Sequence, residues 1–338
     1  MNEPQIVSPW ISRWLSLIAF LIAAIVVVGG ATRLTGSGLS ITEWAPILGT
    51  LPPLSETDWQ TAFAKYQQSS QFKLQNSAMS IAEFHGIFWW EWAHRFLGRF
   101  IGFVVALPLV FFAWAKMLPK GMWPKLVVML ILGGAQGALG WYMVASGLVD
   151  RVSVTQYRLA AHLTLAMAIF AYVLWLRFSL GYNFKTRFGL ADVTLILVFL
   201  QIAGGGFVAG LNAGQGYNTW PLMDGSVLPI GLFAMQPWWY NAFENALTVQ
   251  FDHRLLAYLI FGLASWQLWM KGGRAQLFLF LALCGQIGLG ISTLLLHVPL
   301  HLALAHQSGA LVVLAAAVWN LHQQAYTGDM REREPSLS

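Results

Sequence analysis

Residues 14–32, WLSLIAFLIAAIVVVGGAT, decide the fold class, because they form an unbroken run without a charged side chain. A helix of about 20 largely apolar residues crosses the hydrocarbon core of a bilayer. The whole chain of 338 residues shares this character, since 57% of its residues are hydrophobic and 10% are charged. Soluble domains carry roughly 25% charged residues. The composition therefore excludes an ordinary soluble enzyme and predicts an all-α integral membrane protein.

Further apolar runs follow the first, so the sequence predicts eight transmembrane helices. Lysine and arginine gather in three short connections, at residues 116–125, 177–187 and 271–274. Short loops rich in these residues stay in the cytoplasm, and an even number of spans places both termini there as well. The predicted protein therefore crosses its membrane several times and keeps its basic loops in the cytoplasm. The predicted spans are residues 14–32, 92–115, 126–146, 159–176, 193–211, 251–270, 275–296 and 302–321.

The two long connections, residues 33–87 and 212–245, are predicted to face outward. Within the first, residues 58–76 are polar with scattered aromatic side chains, which is typical of a short amphipathic helix on the membrane surface. At the other end of the chain, residues 327–338 are polar and are predicted to form a cytoplasmic tail.

The sequence around the end of the first span recurs at the end of the fifth. GGATRLTGSGLSITEWAP starts at Gly29 and GGFVAGLNAGQGYNTWPL starts at Gly205. Because each repeat unit has four spans, the two halves share one orientation. We therefore expect two parallel four-helix bundles, residues 1–180 and residues 181–326. The other matches, in the same order in both halves, are Gly38 and Trp44 with Gly214 and Trp220, His94-Arg95 with His253-Arg254, Gln136 and Gly140 with Gln286 and Gly290, and Ala161-His162 with Ala305-His306.

Four histidines occupy repeat-equivalent places near the outer ends of the even-numbered spans: His94, His162, His253 and His306. Polar groups at membrane depth are costly and usually functional. Facing imidazoles in a helical bundle hold a haem iron from both sides. Each half is therefore predicted to bind a metal or a haem.

The other histidines are predicted to have structural roles, with a copper site as a lesser alternative for the pair that flanks Pro299. These residues are His85, His297, His301 and His322, of which His297 and His301 form that pair. The single cysteine, Cys284, excludes an intramolecular disulfide and is predicted to be a small buried apolar residue.

A haem carries two propionates, which need cationic partners. The bidentate guanidinium of arginine suits a carboxylate, and four arginines lie at outer ends of spans. The candidate propionate contacts are Arg33, Arg95, Arg158 and Arg254.

The repeat breaks its symmetry three residues before the histidine of the second span. Glu91 precedes His94 on one helical face, whereas Gln250 stands at the equivalent position before His253. A carboxyl group can move a proton or stabilise a developing cation, and an amide can do neither. The asymmetry favours a substrate half followed by a cofactor half. The alternative is that Glu91 only pairs with Arg95, one turn away.

Residues 79–99, MSIAEFHGIFWWEWAHRFLGR, resemble the start of the second span in the haem A synthase family, particularly its proteobacterial and mitochondrial branch. GGATRLTGSGLSITEW, TWPLMDG and the four repeated histidines agree with it, and the resemblance covers nearly the whole chain. It implies conversion of haem O to haem A, in which a ring methyl group becomes a formyl group, for cytochrome oxidase. It also implies haem b as a cofactor with His253 and His306 as axial ligands, haem O flanked by His94 and His162, and Glu91 as an acid important for the oxidation.

One feature departs from part of that family. Some bacterial members carry a cysteine pair in the first outer loop, and residues 33–87 contain no cysteine. A mechanism that needs the pair does not operate here, which narrows the branch and leaves the resemblance intact.

The expected partners are haem O and membrane lipid. The order of the pathway adds haem O synthase and cytochrome oxidase assembly factors as possible partners. Glycine-rich helices are compatible with a homo-oligomer. The sequence has no basic patch that would indicate binding of nucleic acid.

Two other functions stay open. A quinol-linked di-haem b-type cytochrome would use the same four histidines without modifying its haem, although it gives no reason for Glu91. A transporter with parallel repeats predicts no bound haem.

Overall fold

The computed structural model describes residues 7–43, 48–150, 152–182 and 187–333. Within these ranges the chain is helical, and they contain no β-strand beyond an isolated bridge between Met223 and Ser226. The prediction of an all-α protein is confirmed. The helices are α1 Pro9–Leu34, α2 Glu56–Gln67, α3 Ser70–Gln75, α4 Ile81–Trp114, α5 Met122–Asp150, α6 Gln156–Phe178, α7 Leu190–Gly210, α8 Asn241–Glu244, α9 Ala246–Lys271, α10 Arg274–Leu295 and α11 Leu300–Arg333.

Seven helices of the described chain are long and apolar enough to cross a membrane, namely α1, α4, α5, α6, α7, α10 and α11. The remaining predicted span is α9, which has 26 residues and is therefore about 39 Å long at 1.5 Å per residue. Polar residues lower its hydropathy, notably Asp252, His253 and Arg254 near its start. Length and hydropathy thus establish a multi-pass membrane protein, and the count of eight spans stays a prediction.

The first outer connection is shorter than predicted. α4 begins at Ile81, so the connection ends at Ser80 rather than at residue 87. A capping box starts the helix early, because the Ser80 hydroxyl accepts the Glu83 N–H at 3.3 Å and the Glu83 carboxylate accepts the Ser80 N–H at 2.8 Å.

The prediction of one amphipathic helix at residues 58–76 is wrong, because two helices, α2 and α3, form there. Ser55 and Ser69 cap their N-termini. Hydrogen bonds from Ser55 lower the pKa of the Asp58 carboxyl, which keeps the α2 cap charged at neutral pH.

The predicted C-terminal tail starts as a helical extension of the last span, whose apolar part ends at Tyr326. α11 continues to Arg333, because the chain has no proline between residues 327 and 333 to stop the helix. Residues 334–338 lie outside the described part of the chain.

The helices of the two halves follow one packing scheme with one exception. In the second half, α7, α9, α10 and α11 form a closed ring in which each helix packs on the next. Their repeat equivalents are α1, α4, α5 and α6, which repeat the contacts α1–α4, α1–α6 and α5–α6. Over the described residues, α4 and α5 make no comparable contact. The ring of the first half is therefore open between these two helices.

A buried hydrogen-bond chain ties together the four helices of the second half. Gln267 Nε2 donates to Thr194 Oγ1 at 2.5 Å, Asn320 Nδ2 donates to Gln267 Oε1 at 2.9 Å, and Gln276 Nε2 donates to Asn320 Oδ1 at 2.7 Å. All four side chains are buried. The repeat-equivalent residues of the first half cannot form such a chain, because they are Ile18, Pro108, Leu126 and Leu176.

The two halves meet along three helix pairs: α6 with α7, α6 with α11, and α1 with α11. α7 packs tightly on α6, since a Cβ atom added to Gly206 would lie 2.7 Å from Ala160 Cα. α1 packs on α11, where Gln307 Nε2 donates to the Val26 carbonyl at 2.6 Å. At the outer end, Glu244 accepts a hydrogen bond from Tyr157 Oη at 2.6 Å. Both halves are therefore joined through apolar and polar contacts.

Candidate functional site

The first pair of predicted ligands comes together between α4 and α6. His94 lies on α4 against Gly29 of α1, and His162 lies on α6 against Gly140 of α5. Each residue is half-buried. Nδ1 of His94 is buried and has no hydrogen-bond partner among the described residues. Part of each residue is therefore accessible to a ligand.

The second pair repeats this arrangement between α9 and α11. His253 lies on α9 against Gly205 of α7, His306 lies on α11 against Gly290 of α10, and each histidine is half-buried. In both residues Nδ1 is buried and has no complete hydrogen bond within the described chain. The four histidines are thus two pairs, one in each half.

Glutamines of neighbouring helices fix the backbone of three of the four histidines. Gln136 Nε2 donates to the His162 carbonyl at 3.1 Å, Gln286 Nε2 to the His306 carbonyl at 2.9 Å, and Gln201 Nε2 to the His253 carbonyl at 3.0 Å. Ile25 stands in α1 where α7 has Gln201. His94 therefore has no equivalent glutamine donor among the described residues.

Sequence reasoning identified the equivalence of Gln136 and Gln286 and missed the role of Gln201. The signal was present, because Gln201 lies four residues before Gly205 and interrupts an otherwise apolar helix. It was overlooked because its repeat partner is apolar.

Glu91 is a buried carboxylate whose hydrogen bonds all come from nearby donors. Oε2 accepts the Ser40 hydroxyl at 2.7 Å and the Ile41 N–H at 2.8 Å. Oε1 accepts Nε and Nη2 of Arg95 at 3.0 and 2.6 Å. Glu91 therefore pairs with Arg95 and is also held by Ser40 and Ile41.

The outer helices hold the loop that supplies these donors. Tyr66 Oη donates to Gln71 Oε1 at 3.1 Å, and Gln71 Nε2 donates to the Gly36 carbonyl at 2.9 Å. Burial raises the pKa of the Tyr66 hydroxyl, so it remains a donor at neutral pH. α2 and α3 thereby fix the loop beside Glu91.

Gln250 takes the place of Glu91 in the second half. It accepts a hydrogen bond from the equivalent arginine, but towards the loop it donates a hydrogen bond where Glu91 accepts two. Arg254 Nη2 donates to Gln250 Oε1 at 2.9 Å and to the Tyr217 carbonyl at 3.1 Å, just as Arg95 Nη2 donates to Glu91 and to the Ile41 carbonyl at 2.7 Å. Gln250 Nε2, however, donates to the Ala213 carbonyl at 2.8 Å. The second half therefore holds an arginine without a carboxylate partner on its helix.

The four arginines predicted to bind propionates differ in how many of their donors already form hydrogen bonds within the protein. Buried guanidinium nitrogens without a hydrogen bond to the described residues occur in Arg33 (Nε), Arg158 (Nη1) and Arg254 (Nε and Nη1). Arg33 also donates to the Ala209 carbonyl and to Asn212 Oδ1 of the other half. Arg95, in contrast, is engaged by Glu91 and by the carbonyls of Ile41 and Glu43. The first three arginines have donors available for an anion.

The residues present fit a haem better than a bare metal ion. A bare ion needs three or more protein ligands, and the described residues contain no group of three or more His, Cys, Asp or Glu side chains able to hold one. A haem needs only axial ligands from the protein, and each half offers two imidazoles and nearby arginines.

The remaining candidate residues lie elsewhere. His85 lies on α4 and not in the outer connection, with its ring 4.0 Å from that of Trp59. The prediction that Cys284 is buried is wrong: it is exposed on α10, since the adjacent Leu283 faces the core instead. Trp44, one member of the repeat, lies outside the described residues.

Comparison with known proteins identifies the family of this chain. The chain matches the family described as cytochrome oxidase assembly protein (COX15-CtaA) over residues 12–318. It is 50% identical to a protein of Mesorhizobium japonicum over 93% of this chain and 90% of the relative, and 49% identical to one of Parvibaculum lavamentivorans over 93% and 94%. A protein of Chelativorans sp. is 50% identical over 94% of this chain and 92% of the relative. All three relatives are named "Heme A synthase". The chain therefore belongs to the cytochrome oxidase assembly protein family.

Proposed function

We propose that this chain is a haem A synthase, which oxidises a ring methyl group of haem O to a formyl group and supplies haem A for cytochrome oxidase. One observation carries the proposal: two pairs of repeat-equivalent imidazoles occur in a chain 50% identical to relatives named for that activity. In the first half His94 and His162 bind substrate haem O. In the second half His253 and His306 bind haem b.

The open ring of the first half supports the assignment of substrate and cofactor. A substrate must enter and its product must leave, and the gap between α4 and α5 gives a lateral route for a haem with a long apolar tail. α2 packs on α4 and α3 on α5, so the outer helices cover the end of this gap. A resident cofactor needs no such route, and the second half is closed by the packing of α9 on α10.

Glu91 serves the oxidation of the methyl group. Its carboxylate accepts hydrogen bonds from Ser40, Ile41 and Arg95, so a negative charge is oriented there before the substrate reacts. A preoriented charge stabilises cationic character as it develops on the substrate. Gln250 supplies no such charge in the second half.

The second half collects electrons from the first. When bound, haem b supplies one-electron redox chemistry. The free donors of Arg254, Arg158 and Arg33 are suited to the propionates, and the contacts of Arg33 with Ala209 and Asn212 tie the first half to the second.

The cellular setting follows from charge and chemistry. The relatives are bacterial proteins, and the basic short loops favour cytoplasmic termini, so we infer an inner-membrane protein with eight spans. The substrate comes from the enzyme that builds haem O, so haem O synthase is a natural partner.

Analysis of the bound pigments tests the proposal. The protein is produced together with a source of haem O, purified in detergent and extracted with acid, and the haems are separated and weighed by mass spectrometry. We expect haem B together with haem O, haem A or an intermediate alcohol. Haem B alone would indicate a di-haem electron carrier, and a protein without haem would contradict both functions.

A further inference from the structure

Each candidate ligand imidazole lies against a glycine on a different helix. A Cβ atom added to Gly29 would lie 2.8 Å from Cε1 of His94, and one added to Gly140 would lie 3.0 Å from Cε1 of His162. In the second half, the distances are 3.3 Å from Gly205 to His253 and 2.9 Å from Gly290 to His306, again to Cε1.

The four contacts form two repeat-related sets. Gly29 on α1 corresponds to Gly205 on α7, and Gly140 on α5 corresponds to Gly290 on α10. The contacted atom is the same in every ring, and Cε1 lies between the two nitrogens. A shift at this atom therefore also displaces the nitrogen that faces a metal.

Other glycines on the same helices lack this relationship. A Cβ atom added to Gly133, Gly134 or Gly137 on α5, or to Gly285 or Gly288 on α10, would meet no atom of the described chain within 4 Å. General packing of glycine-rich helices therefore does not explain the contacts at Gly140 and Gly290.

The histidines have limited freedom to move away. Gln286 holds the His306 carbonyl at 2.9 Å and Gln136 holds the His162 carbonyl at 3.1 Å. An added methyl group closer than about 3 Å must then be relieved by tilting the imidazole, because the backbone of the histidine is tethered.

We propose that Gly29, Gly140, Gly205 and Gly290 are positioning residues, which set each imidazole in place for its haem iron by leaving out one methyl group. The inference rests on the proposed function, since it takes the histidines as haem ligands. The shortest contacts with a glutamine-tethered histidine, at Gly290 and Gly140, should be the most sensitive. His94 has no glutamine tether within the described residues, so Gly29 should tolerate alanine better.

The test compares Gly290→Ala with Gly288→Ala on the same helix. We expect Gly290→Ala to lower the affinity for haem b by about tenfold and to shift its reduction potential and low-spin absorption spectrum. Gly288→Ala should leave these properties as in the parent. In the first half, Gly140→Ala should lower haem O content and leave the haem b spectrum unchanged, with Gly137→Ala as control.

A second background separates positioning from helix packing. In a His306→Ala variant the ring is absent, so adding Gly290→Ala should change thermal unfolding only as much as adding Gly288→Ala does, through helix propensity alone. An equal loss of stability in both backgrounds would overturn the proposal, as would identical spectra and haem content in Gly290→Ala and Gly288→Ala. A parent protein without haem would contradict the proposed function itself, whereas a haem-loaded parent with unaffected variants would contradict only the role of the glycines.

Discussion

At the scale of single residues, the exchange of Glu91 for Gln250 gives two otherwise similar sites different chemistry. Both face an arginine one turn later on their helix. Gln250 donates to the Ala213 carbonyl, whereas the Glu91 carboxylate accepts from Ser40 and Ile41. The first half thus has a buried carboxylate paired with Arg95, and the second half keeps an arginine with free donors.

Glu91→Gln should stop or stall conversion of haem O while haem O still binds. The amide keeps an acceptor for Arg95 and removes the charge, and loss of a group that acts in this way costs about 10²–10⁴-fold in rate. The measurement is the ratio of haem A to haem O in the purified protein. Ser40→Ala is the matched control, because it removes one hydrogen bond and keeps the carboxylate. Parental conversion in Glu91→Gln would exclude the role given to Glu91.

Arg254→Gln should weaken haem b binding by about tenfold, because it removes the free Nε and Nη1 donors offered to a propionate. Titration of the haem-depleted protein with haem B measures the change. Arg177→Gln serves as control, since Arg177 donates to Ser16 Oγ, well away from these histidines along α6. Equal affinity in both variants would show that Arg254 does not bind the propionate.

The residue types of the site could be read from the sequence because the repeat marks them twice. His94, His162, His253 and His306 stood out in this way, and so did the contrast between Glu91 and Gln250. The contacts of Glu91 with Ser40 and Ile41 could not be read, because they depend on how a glycine-rich loop folds back onto α4. Gln201 could not be recognised from the repeat, because the equivalent residue of the first half is the apolar Ile25.

At the scale of helices, the four helices of each half are held together by different kinds of contact. The second half has the buried chain Thr194–Gln267–Asn320–Gln276, and the first half has apolar residues at those positions. Hydropathy predicts helices and approximate ends, so the spans were found, while α9 fell short in hydropathy and α4 began earlier than expected. The open contact between α4 and α5 is a property of packing, which no single helix sequence specifies.

Asn320→Leu should destabilise the second half, because Leu is the equivalent residue of the first half but leaves Gln267 and Gln276 without their buried partner. Hydrogen bonds between membrane helices contribute about 0.6–2 kcal/mol each, so the two lost bonds should cost about 1–4 kcal/mol. Thermal unfolding in detergent, followed by release of haem b, measures the effect. Ser265→Ala removes only a bond to the Phe261 carbonyl on the same helix and should be nearly silent. Equal midpoints for the two variants would show that the buried chain contributes nothing to stability.

At the scale of the whole molecule, the number of spans fixes which faces the outer segments and termini occupy. If α9 crosses the membrane, the loop after it lies in the cytoplasm and residues 211–245 lie outside. If α9 does not cross, the loop after it and residues 211–245 lie on the same side. The topology is therefore a direct test of the eighth span.

Single cysteines introduced into a Cys284→Ser background report this topology. Val227 is exposed in the outer segment and Arg274 is exposed at the start of α10. A membrane-impermeant maleimide added to intact cells should label Val227→Cys and leave Arg274→Cys unlabelled until the membrane is opened. Labelling of both positions in intact cells would contradict an eight-span topology with cytoplasmic termini.

The division of labour between the two halves is tested most directly by the haem content of His162→Ala and His306→Ala, each purified from cells that make haem O. We expect His306→Ala to lose haem B and to retain haem O without converting it. His162→Ala should retain haem B and lose haem O and haem A. Loss of the same haem from both variants, or the reverse assignment, would contradict a substrate half that precedes a cofactor half.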